Sequence, residues 1–475
     1  MTFWLLSIAS STKSLPKIAL AIGTVLIAIA SRALSYTGFG ATTADSTFAV
    51  RWLGRGLGAL GLALLTLGWW WVREVAARGR WLLLVLWSLP LLFAPPAGSR
   101  DAYAYAEQGW LVAHGHDPYT TPMGTLGSPF SSLVDDWWRG QTTVYPPLAL
   151  EVQSWVVRLT GESAVVSVAA QRAPAILGLV LVGLCLPRLA RHAGGDPDLA
   201  GWLILLNPLV LVHVVGGAHN DALAIGLATA AVWLATARGS RGWLAGAGVL
   251  GLAAAVKQPL ALGGLAIAAM SSAGSRRPWP QLLVRAVLVA MVGFAVFLLV
   301  TLWSGLGWGW LTGSGSPYEV VTVAPASLIA DVFARLHIAS FAGTLGVLGP
   351  VFLVLAALLI LGDAVRTLNT SPIGFLGRAL IVFALLSPAL QVWYLLWGGV
   401  FLVCLPLGQR ASRRMLAVVV TGLAVLWAVE WVGIAPLWGA LLSGVLGLVT
   451  LAAGRRPGLG RTVVGPPVGA DRMAP

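Results

Sequence analysis

Long apolar runs recur from one end of this chain to the other and constrain its fold more than any other feature. A helix needs roughly 17–25 such residues to cross a bilayer. Charged residues make up only 10% of the 475, whereas about a quarter is usual in soluble domains. Because backbone polar groups must be paired within hydrocarbon, spanning runs form helices. We therefore predict an all-α polytopic membrane protein with about 11–14 transmembrane helices.

The arginine-bearing loops between the apolar runs indicate the orientation of the chain. We predict fourteen spans, at 16–34, 52–72, 81–94, 165–187, 199–216, 221–237, 242–256, 258–273, 281–303, 343–363, 375–389, 391–407, 414–431 and 434–453. With both termini inside, the basic loops lie on the cytoplasmic side. Residues 324–340 must then lie on the membrane, and 456–475 form a disordered cytoplasmic tail. The net charge of +13 serves topology and contact with the lipid bilayer, so we expect no nucleic acid partner.

A polar segment, residues 95–165, interrupts the apolar runs. It holds seven of the chain's 17 acidic residues and many of its tyrosines. The topology places it outside, as a large first outer loop within one transmembrane domain over residues 1–455. Residues 102–114 have aromatic and alanine positions at helical spacing, which predicts an interfacial helix in the headgroup region. Carboxylates and aromatic rings at a membrane face suggest a site for a polar, sugar-like substrate.

Asp101 begins this outer loop and has two interpretations. An acid at a helix start is often an N-cap. A carboxylate in this setting could instead act as general base on a sugar hydroxyl. In the same segment Tyr103, Glu107 and Tyr145 are candidate substrate contacts, although Tyr145, which precedes two prolines, could also form a structured turn.

Two polar clusters fall at span ends on the same outer face. Exposure of His219, Asn220 and Asp221 to lipid would cost free energy. We therefore expect them to form either a helix cap or a polar corner of a site. Lys257 contradicts the positive-inside bias, which favours binding of a substrate phosphate over a headgroup contact. His219 could donate a hydrogen bond to the same phosphate.

Gln391, Trp393 and Tyr394 stand at the start of a later span. Tryptophan and tyrosine at a span end are ordinary interface anchors, and stacking on a sugar ring is the functional alternative. No metal-ligand spacing such as CxxC or HExxH is present. We therefore expect no metal and no other cofactor.

The outer location of these groups constrains the donor of any sugar transfer. Nucleotide-activated sugars are cytosolic, so a site outside needs a donor that crosses the membrane. A sugar on a polyprenyl phosphate meets that need, with its lipid tail between spans and its phosphate near Lys257. Single displacement at the anomeric carbon would invert its configuration, and a cation would stabilise the leaving phosphate.

Four motifs resemble those of the polytopic GT-C glycosyltransferases. They are Asp101-Ala-Tyr-Ala-Tyr-Ala-Glu-Gln-Gly with His116-Asp-Pro-Tyr119, Tyr145-Pro-Pro-Leu, Gly217-Ala-His-Asn-Asp221 and Gln391-Val-Trp-Tyr-Leu-Leu-Trp397. The chain is most similar to actinobacterial polyprenyl-phosphomannose-dependent α-1,6-mannosyltransferases of lipomannan assembly, over most of its length.

This resemblance implies a GT-C-like fold, Asp101 as catalytic acid of the first outer loop, a polyprenyl-phosphate donor and a membrane glycan or glycolipid acceptor. Relatives often carry two neighbouring acids in that loop, whereas here Ala102 follows Asp101, so a second acid would be Glu107 or a more distant one. Val392 stands where relatives often have proline.

Two other classes remain open. A transporter or flippase of lipid-linked sugars would use short, proline-interrupted spans around a midplane site, but the charged groups here lie at the outer interface and no inverted repeat is evident. A polysaccharide polymerase or ligase also has a large outer loop, typically dependent on arginine and histidine, whereas acids dominate this one.

Overall fold

The computed structural model describes residues 15–36, 44–72, 77–135, 138–237, 241–273, 278–312, 320–431 and 435–453, and within these ranges all regular structure is helical. The predicted tail at 456–475 lies outside the described residues.

The α-helices of the described residues are α1 (Leu15–Tyr36), α2 (Ala44–Trp71), α3 (Ala77–Leu92), α4 (Asp101–Ala113), α5 (Pro147–Leu159), α6 (Ala164–Ala170), α7 (Arg172–His192), α8 (Pro197–Leu205), α9 (Asp221–Ala237), α10 (Gly242–Val256), α11 (Gly263–Ser271), α12 (Pro278–Ser304), α13 (Pro325–Arg335), α14 (Phe341–Thr367), α15 (Pro372–Leu386), α16 (Leu395–Leu402), α17 (Gln409–Val425) and α18 (Pro436–Ala453). Short π-helical segments occur at Val210–Gly216 and Leu426–Trp431, and 3₁₀ segments at Gln258–Leu262, Gly309–Leu311 and Val392–Tyr394.

Three helical stretches in the described ranges are long and apolar enough to cross a membrane by themselves: Ala164–His192, Trp279–Ser304 and Phe341–Thr367. A fourth span results if α8 and the following π-helical segment cross together. Eight further apolar helices are 10–17 residues long. Every span predicted from the sequence overlaps a helix, so the chain is a helical membrane protein.

The span predicted at 199–216 is sharply bent. α8 and the π-helical segment Val210–Gly216 meet at 59°. Pro208 has no backbone N–H to continue the helix. The Asn207 side chain replaces part of the missing pairing, because its Oδ1 accepts a hydrogen bond from the Leu209 N–H at 2.9 Å. The bend brings the end of the π-helical segment to the start of α9.

Glycine contacts bring α7 and α9 backbone to backbone. A Cβ added to Gly178 would lie 2.0 Å from the Ala222 carbonyl oxygen, and one on Gly226 would lie 2.4 Å from the Gly178 oxygen. Small residues permit this close approach in membrane helices. The contact fixes the first turn of α9, which carries Asp221, against α7.

The helix predicted over residues 102–114 is present as α4, but it is packed inside the outer segment. Ten of its thirteen residues are buried. Its backbone touches α5, because a Cβ on Gly109 would lie 2.5 Å from the Gln153 carbonyl oxygen. α4 is therefore packed on most of its surface, unlike a helix that lies on headgroups with one face. It forms a rigid support for Asp101, its first residue.

Residues 324–340, predicted to lie on the membrane, contain the short amphipathic helix α13. Ala326 and Ala330 are buried and pack with Leu345 of α14, whereas Ile329 and Phe333 are each 38% exposed. An apolar exposed face of this kind is typical of an interfacial helix.

Candidate active site

A cavity of about 570 Å³ opens where the outer segment meets the ends of α9, α10 and α15. Its lining combines the polar clusters that are distant in sequence. The residues are Gly98, Ser99, Asp101, Asp135, Trp138, Val144, Tyr145, Asp221, Lys257, Gln258, Val320, Phe383, Ser387, Pro388, Ala389, Gln391, Trp393, Tyr394 and Trp397.

Asp101 faces this cavity as the first residue of α4. Its side chain makes no helix-capping hydrogen bond, since the cap position belongs to Arg100. The Trp138 Nε1–H donates to Asp101 Oδ1 at 3.2 Å, and His219 Nδ1 lies 3.4 Å from Oδ2. The carboxylate is 20% exposed. The N-cap interpretation is therefore wrong, and Asp101 presents a partly accessible carboxylate to the cavity.

The environment of Asp101 keeps it ionised. Burial by itself raises the pKa of this carboxyl, but the contacts with His219 and Trp138 outweigh it. The nearby positive charge of Lys257 acts in the same direction, so the pKa lies below its ordinary value of 3.8. At neutral pH Asp101 is a carboxylate that can accept a proton.

A buried ion pair forms the opposite part of the site. Lys257 Nζ donates to Asp221 at 3.2 Å, and the Trp397 Nε1–H donates to Asp221 Oδ1 at 2.8 Å. The ammonium also lies 5.1 Å from the ring centres of Tyr145 and Tyr394, within the range of cation–π attraction. Lys257 is thus a cation held in an aromatic and carboxylate cage at the cavity surface.

Local backbone features position Lys257 and the neighbouring Tyr145. Lys257 ends α10 in an extended conformation, followed by Pro259 in a 3₁₀ turn. Tyr145 precedes two prolines that start α5, and its carbonyl accepts a hydrogen bond from the Tyr119 hydroxyl at 2.9 Å. The backbone restriction of proline holds both segments in place.

His219 and Asn220 lie behind the cavity surface. His219 is 1% exposed, and its ring stacks on Trp393 with centres 3.7 Å apart. Asn220 Oδ1 accepts a hydrogen bond from the Tyr105 hydroxyl at 3.4 Å. The structure therefore places His219 against Asp101 and Trp393 and Asn220 against Tyr105, and neither residue lines the cavity.

Glu107 and Tyr103 also lie away from the cavity. Glu107 is fully buried and accepts hydrogen bonds from the Gly124 N–H at 2.9 Å and from the Ser128 hydroxyl. Tyr103 packs in an apolar cluster with Phe130. Glu107 anchors the segment around residues 124–131, so the structure gives no second acid beside Asp101 on α4.

Gln391, Trp393 and Tyr394 all reach the cavity. A turn at Ser387 precedes them, in which the Ser387 hydroxyl contacts the Ala389 carbonyl at 2.6 Å. Val392 does not line the cavity and lies in the apolar core. The 3₁₀ turn Val392–Tyr394 thus brings Trp393 and Tyr394 to the cavity lining.

Several lining residues were not predicted from the sequence, among them Trp138, Gln258 and Trp397. Trp397 lies three and four residues after Tyr394 and Trp393, and this spacing places side chains on one helix face. The sequence therefore held a signal for Trp397. Trp138 carried no such signal, because only the tertiary fold brings it to Asp101.

Two apolar grooves adjoin the cavity. One, of about 620 Å³, lies between the Gln258–Leu262 turn, α11, α14 and Phe383. The other, of about 380 Å³, lies among α10, α11 and α12 beneath Trp308 and Trp310. Gln258 lines both grooves and the cavity, so the three spaces meet at that side chain.

The expected independence from metal is testable. Within the described ranges no group of three or more His, Cys, Asp or Glu side chains could hold a metal ion. We predict that an excess of EDTA leaves the activity of the purified protein unchanged, because Lys257 supplies positive charge at the cavity. Loss of activity in EDTA that added Mg²⁺, Mn²⁺ or Ca²⁺ restores would contradict this prediction.

Two profiles of one protein family match this chain. The profile of the α-(1→6)-mannopyranosyltransferase N-terminal domain, MptA/MptB family, matches residues 17–274, and that of the MptB C-terminal domain matches residues 320–452. No solved structure matches the chain.

Curated relatives come from actinobacteria. A protein of Mycolicibacterium smegmatis, named a probable α-(1→6)-mannopyranosyltransferase, is 32% identical over 70% of this chain and 65% of its own length. α-(1→6)-Mannopyranosyltransferase A of Mycobacterium tuberculosis is 31% identical over 70% of this chain and 66% of its length. α-(1→6)-Mannopyranosyltransferase B of Corynebacterium glutamicum is 27% identical over 69% of this chain and 58% of its length. The chain thus spans between 58% and 66% of the length of these relatives.

Proposed function

Because this chain belongs to the MptA/MptB family of α-(1→6)-mannopyranosyltransferases, we propose that it transfers mannose from a polyprenyl-phosphate donor to a lipid-anchored glycan acceptor. The observation that carries the proposal is that Asp101, an ionised carboxylate, and Lys257, a caged cation, line one cavity. One group can accept a proton while the other stabilises a leaving phosphate.

In the proposed reaction Asp101 takes the proton of an acceptor hydroxyl as that oxygen attacks the anomeric carbon. The new glycosidic C–O bond forms while the bond from the anomeric carbon to the phosphate oxygen breaks. The bonding pair leaves on the phosphate, and the proton stays on Asp101. Attack from the face opposite the phosphate inverts the anomeric configuration.

Lys257 would stabilise the charge that develops on the leaving phosphate. A preformed cation in a site with little water is effective in this role, because it needs no reorganisation during the reaction. The rings of Tyr145, Trp393 and Tyr394 offer flat apolar surfaces for the sugar, and Gln391 offers an amide for its hydroxyls. Asp221 would hold Lys257 in place, and Glu107, Tyr103 and Asn220 would support the site indirectly.

The proposal includes the topology derived from the basic loops. We infer a GT-C-like arrangement of about 11–14 transmembrane helices, with residues 95–165 outside and the cavity open to the extracytoplasmic face of the cell membrane. The positive-inside bias supports this orientation.

The polyprenyl tail is proposed to occupy the groove between α11 and α14. This groove shares both Gln258 and Phe383 with the cavity, whereas the other groove shares only Gln258. On α14 it is lined by small and branched side chains from Leu353 to Ala364. A prenyl chain in this groove would place its phosphate at the cavity end, near Lys257.

Filling this groove should weaken the binding of long-chain donors. Ala357→Trp is expected to raise the KM for a long polyprenyl donor about tenfold, because displacing two CH₂ groups from contact costs about 1.6 kcal/mol. The KM for a short prenyl analogue should not change. The matched control is Leu358→Trp, next along α14 and 62% exposed. Equal effects on long and short donors would place the tail elsewhere.

The function itself is tested with membranes that contain this chain, radiolabelled polyprenyl-phosphomannose and a short mannoside acceptor. We expect labelled mannose in the elongated mannoside, removable by α-mannosidase. A folded protein that moves the labelled lipid between leaflets without transfer would instead be a transporter, and transfer from another lipid-linked sugar would change only the proposed donor.

A further inference from the structure

We propose that His219 is a positioning residue that holds the Asp101 carboxylate through its Nδ1–H and keeps it from pairing with Lys257. This inference rests on the proposed function for its kinetic consequences, but its structural part can be tested without any activity. It assigns His219 a role other than phosphate binding, since the side chain is 1% exposed and does not reach the cavity surface.

The first support is the contact itself. His219 Nδ1 lies 3.4 Å from Asp101 Oδ2, while Trp138 Nε1 donates to the other oxygen at 3.2 Å. Ring nitrogens from two separate segments therefore approach the two carboxylate oxygens. At 3.4 Å the histidine contact is long for a hydrogen bond, and catalytic hydrogen bonds often shorten when substrate binds.

The second support is the surroundings of the ring. His219 stacks on Trp393 with centres 3.7 Å apart and planes 22° apart. His213 packs against the same tryptophan at 4.7 Å. Among the described residues neither ring nitrogen of His219 has a partner in ordinary hydrogen-bond geometry, and Nδ1 is the nitrogen that lies 3.4 Å from an Asp101 oxygen. A proton on Nε2 would be a buried donor without an acceptor, which is costly, whereas a proton on Nδ1 would face the Asp101 carboxylate, so in this proposal Nδ1 carries the proton.

The third support is the backbone before His219. Ala218 has a φ of 60°, a left-handed conformation that a residue with a Cβ rarely adopts. Such strain persists only where the surrounding structure imposes it. Here Arg172, buried in α7, donates to the carbonyls of Val215 and Gly216 at 3.0 and 3.1 Å. The hydrogen bonds from Arg172 of α7 therefore hold this turn in place. In the turn the His219 ring faces Asp101.

The charges in the cavity explain why such a restraint is needed. Asp101 and Lys257 carry opposite charges and line the same space. Held by Trp138 alone, through Oδ1, the Asp101 carboxylate would be freer to turn toward the ammonium. A second carboxylate at Lys257, beside Asp221, would weaken the stabilisation of the charge that develops on the leaving phosphate, and Asp101 would lose its alignment with the acceptor. Holding the carboxylate back keeps both groups available.

Two substitutions at position 219 separate positioning from packing. His219→Asn places an amide N–H close to the position of Nδ1 but loses the stacked ring. His219→Phe keeps a ring against Trp393 but loses the donor. We expect the Phe variant to lose about 10²-fold in kcat, the size of effect that a misplaced catalytic group produces, with the KM for the donor unchanged. The Asn variant should stay within a few-fold of wild type. The reverse order, with Phe active and Asn inactive, would show that only packing matters and would overturn the proposal.

The tautomer gives a readout that does not depend on turnover. In protein labelled with ¹⁵N-histidine and held in nanodiscs, the imidazole signals of six histidines are expected, and His219→Phe identifies the one from residue 219. Its Nδ1 should carry the proton, and its shift should change in Asp101→Asn. A proton on Nε2, or a signal insensitive to Asp101, would overturn the inference whether or not the protein transfers mannose. Absence of transfer by wild-type protein with the expected spectrum would contradict only the proposed function.

Discussion

Asp101→Asn should lower mannosyl transfer by about 10²–10⁴-fold, the range that a positioned general base contributes, while the donor lipid still binds. Asparagine keeps the size of the side chain and can still accept a hydrogen bond from Trp138, but its amide cannot take the acceptor proton. The effect should therefore fall on kcat. Steady-state transfer and filter binding of labelled donor, in the same nanodisc preparation, measure the two quantities.

The matched control for Asp101 is Asp135→Asn. Asp135 lines the same cavity and pairs with Arg100 at 3.3 Å. An exposed ion pair contributes about 0–1 kcal/mol, so transfer should fall less than about fivefold. If Asp101→Asn remained as active as this control, the base would have to be another acid. Asp221 would be the next candidate, because Glu107 lies outside the cavity.

The pH dependence follows from the lowered pKa of Asp101. The protonated acid is inactive as a base, so activity should fall as the pH drops through the pKa of the folded protein. Because that pKa lies below its ordinary value of 3.8, Asp101 should cause no loss of transfer between neutral pH and about pH 4. An acid limb near pH 6 that disappears in an Asp101 variant would contradict this assignment.

Lys257→Met should have the second-largest effect, a loss of about 10²–10³-fold in transfer, as expected when one preorganised charge stabiliser is removed. The change also leaves Asp221, which is 2% exposed, as a buried carboxylate without its cation. Breaking a buried ion pair costs about 3–5 kcal/mol of folding stability. Transfer and thermal unfolding must therefore be measured together.

A double variant separates these two effects. In Lys257→Met with Asp221→Asn the unpaired charge is gone, and Trp397 Nε1 can still donate to the amide oxygen. Thermal stability should recover toward that of wild type, whereas transfer should stay low because no cation faces the phosphate. A stable double variant with near wild-type transfer would mean that Lys257 serves only as the partner of Asp221.

The positions of the helices follow closely from the sequence. Each predicted span overlaps a helix because long apolar runs have few other stable forms in hydrocarbon. The bend at Asn207 and Pro208 was missed, although proline after asparagine is a known breaking signal. The closeness of Asp101, Asp221 and Lys257 was predicted only as a shared face, since apolar periodicity carries no information on which helices pack together.

The assignments on α4 show how helix geometry could have sharpened the prediction. At about 100° per residue, Glu107 lies roughly 240° around the helix from Asp101, and Tyr103 roughly 200°. Both therefore point away from the cavity. Tyr105 lies only about 40° away, and it contacts Asn220 and Tyr145. Its hydroxyl was not chosen from the sequence because its neighbours come from distant segments.

The charge of the cavity lining has a consequence for product release. Among the described lining residues, Asp101, Asp135 and Asp221 are acidic, and Lys257 is basic. The phosphodiester of a donor lipid carries one negative charge, and the phosphate monoester left after transfer carries about 1.5–2 at neutral pH. Once Asp101 gives its proton to water, the lining has the same charge that the donor met, but the spent lipid is more negative than the donor and is repelled more strongly by the three carboxylates. We expect this repulsion to favour release of the spent lipid, so that the dissociation constant for polyprenyl phosphate should exceed that for the sugar-bearing donor.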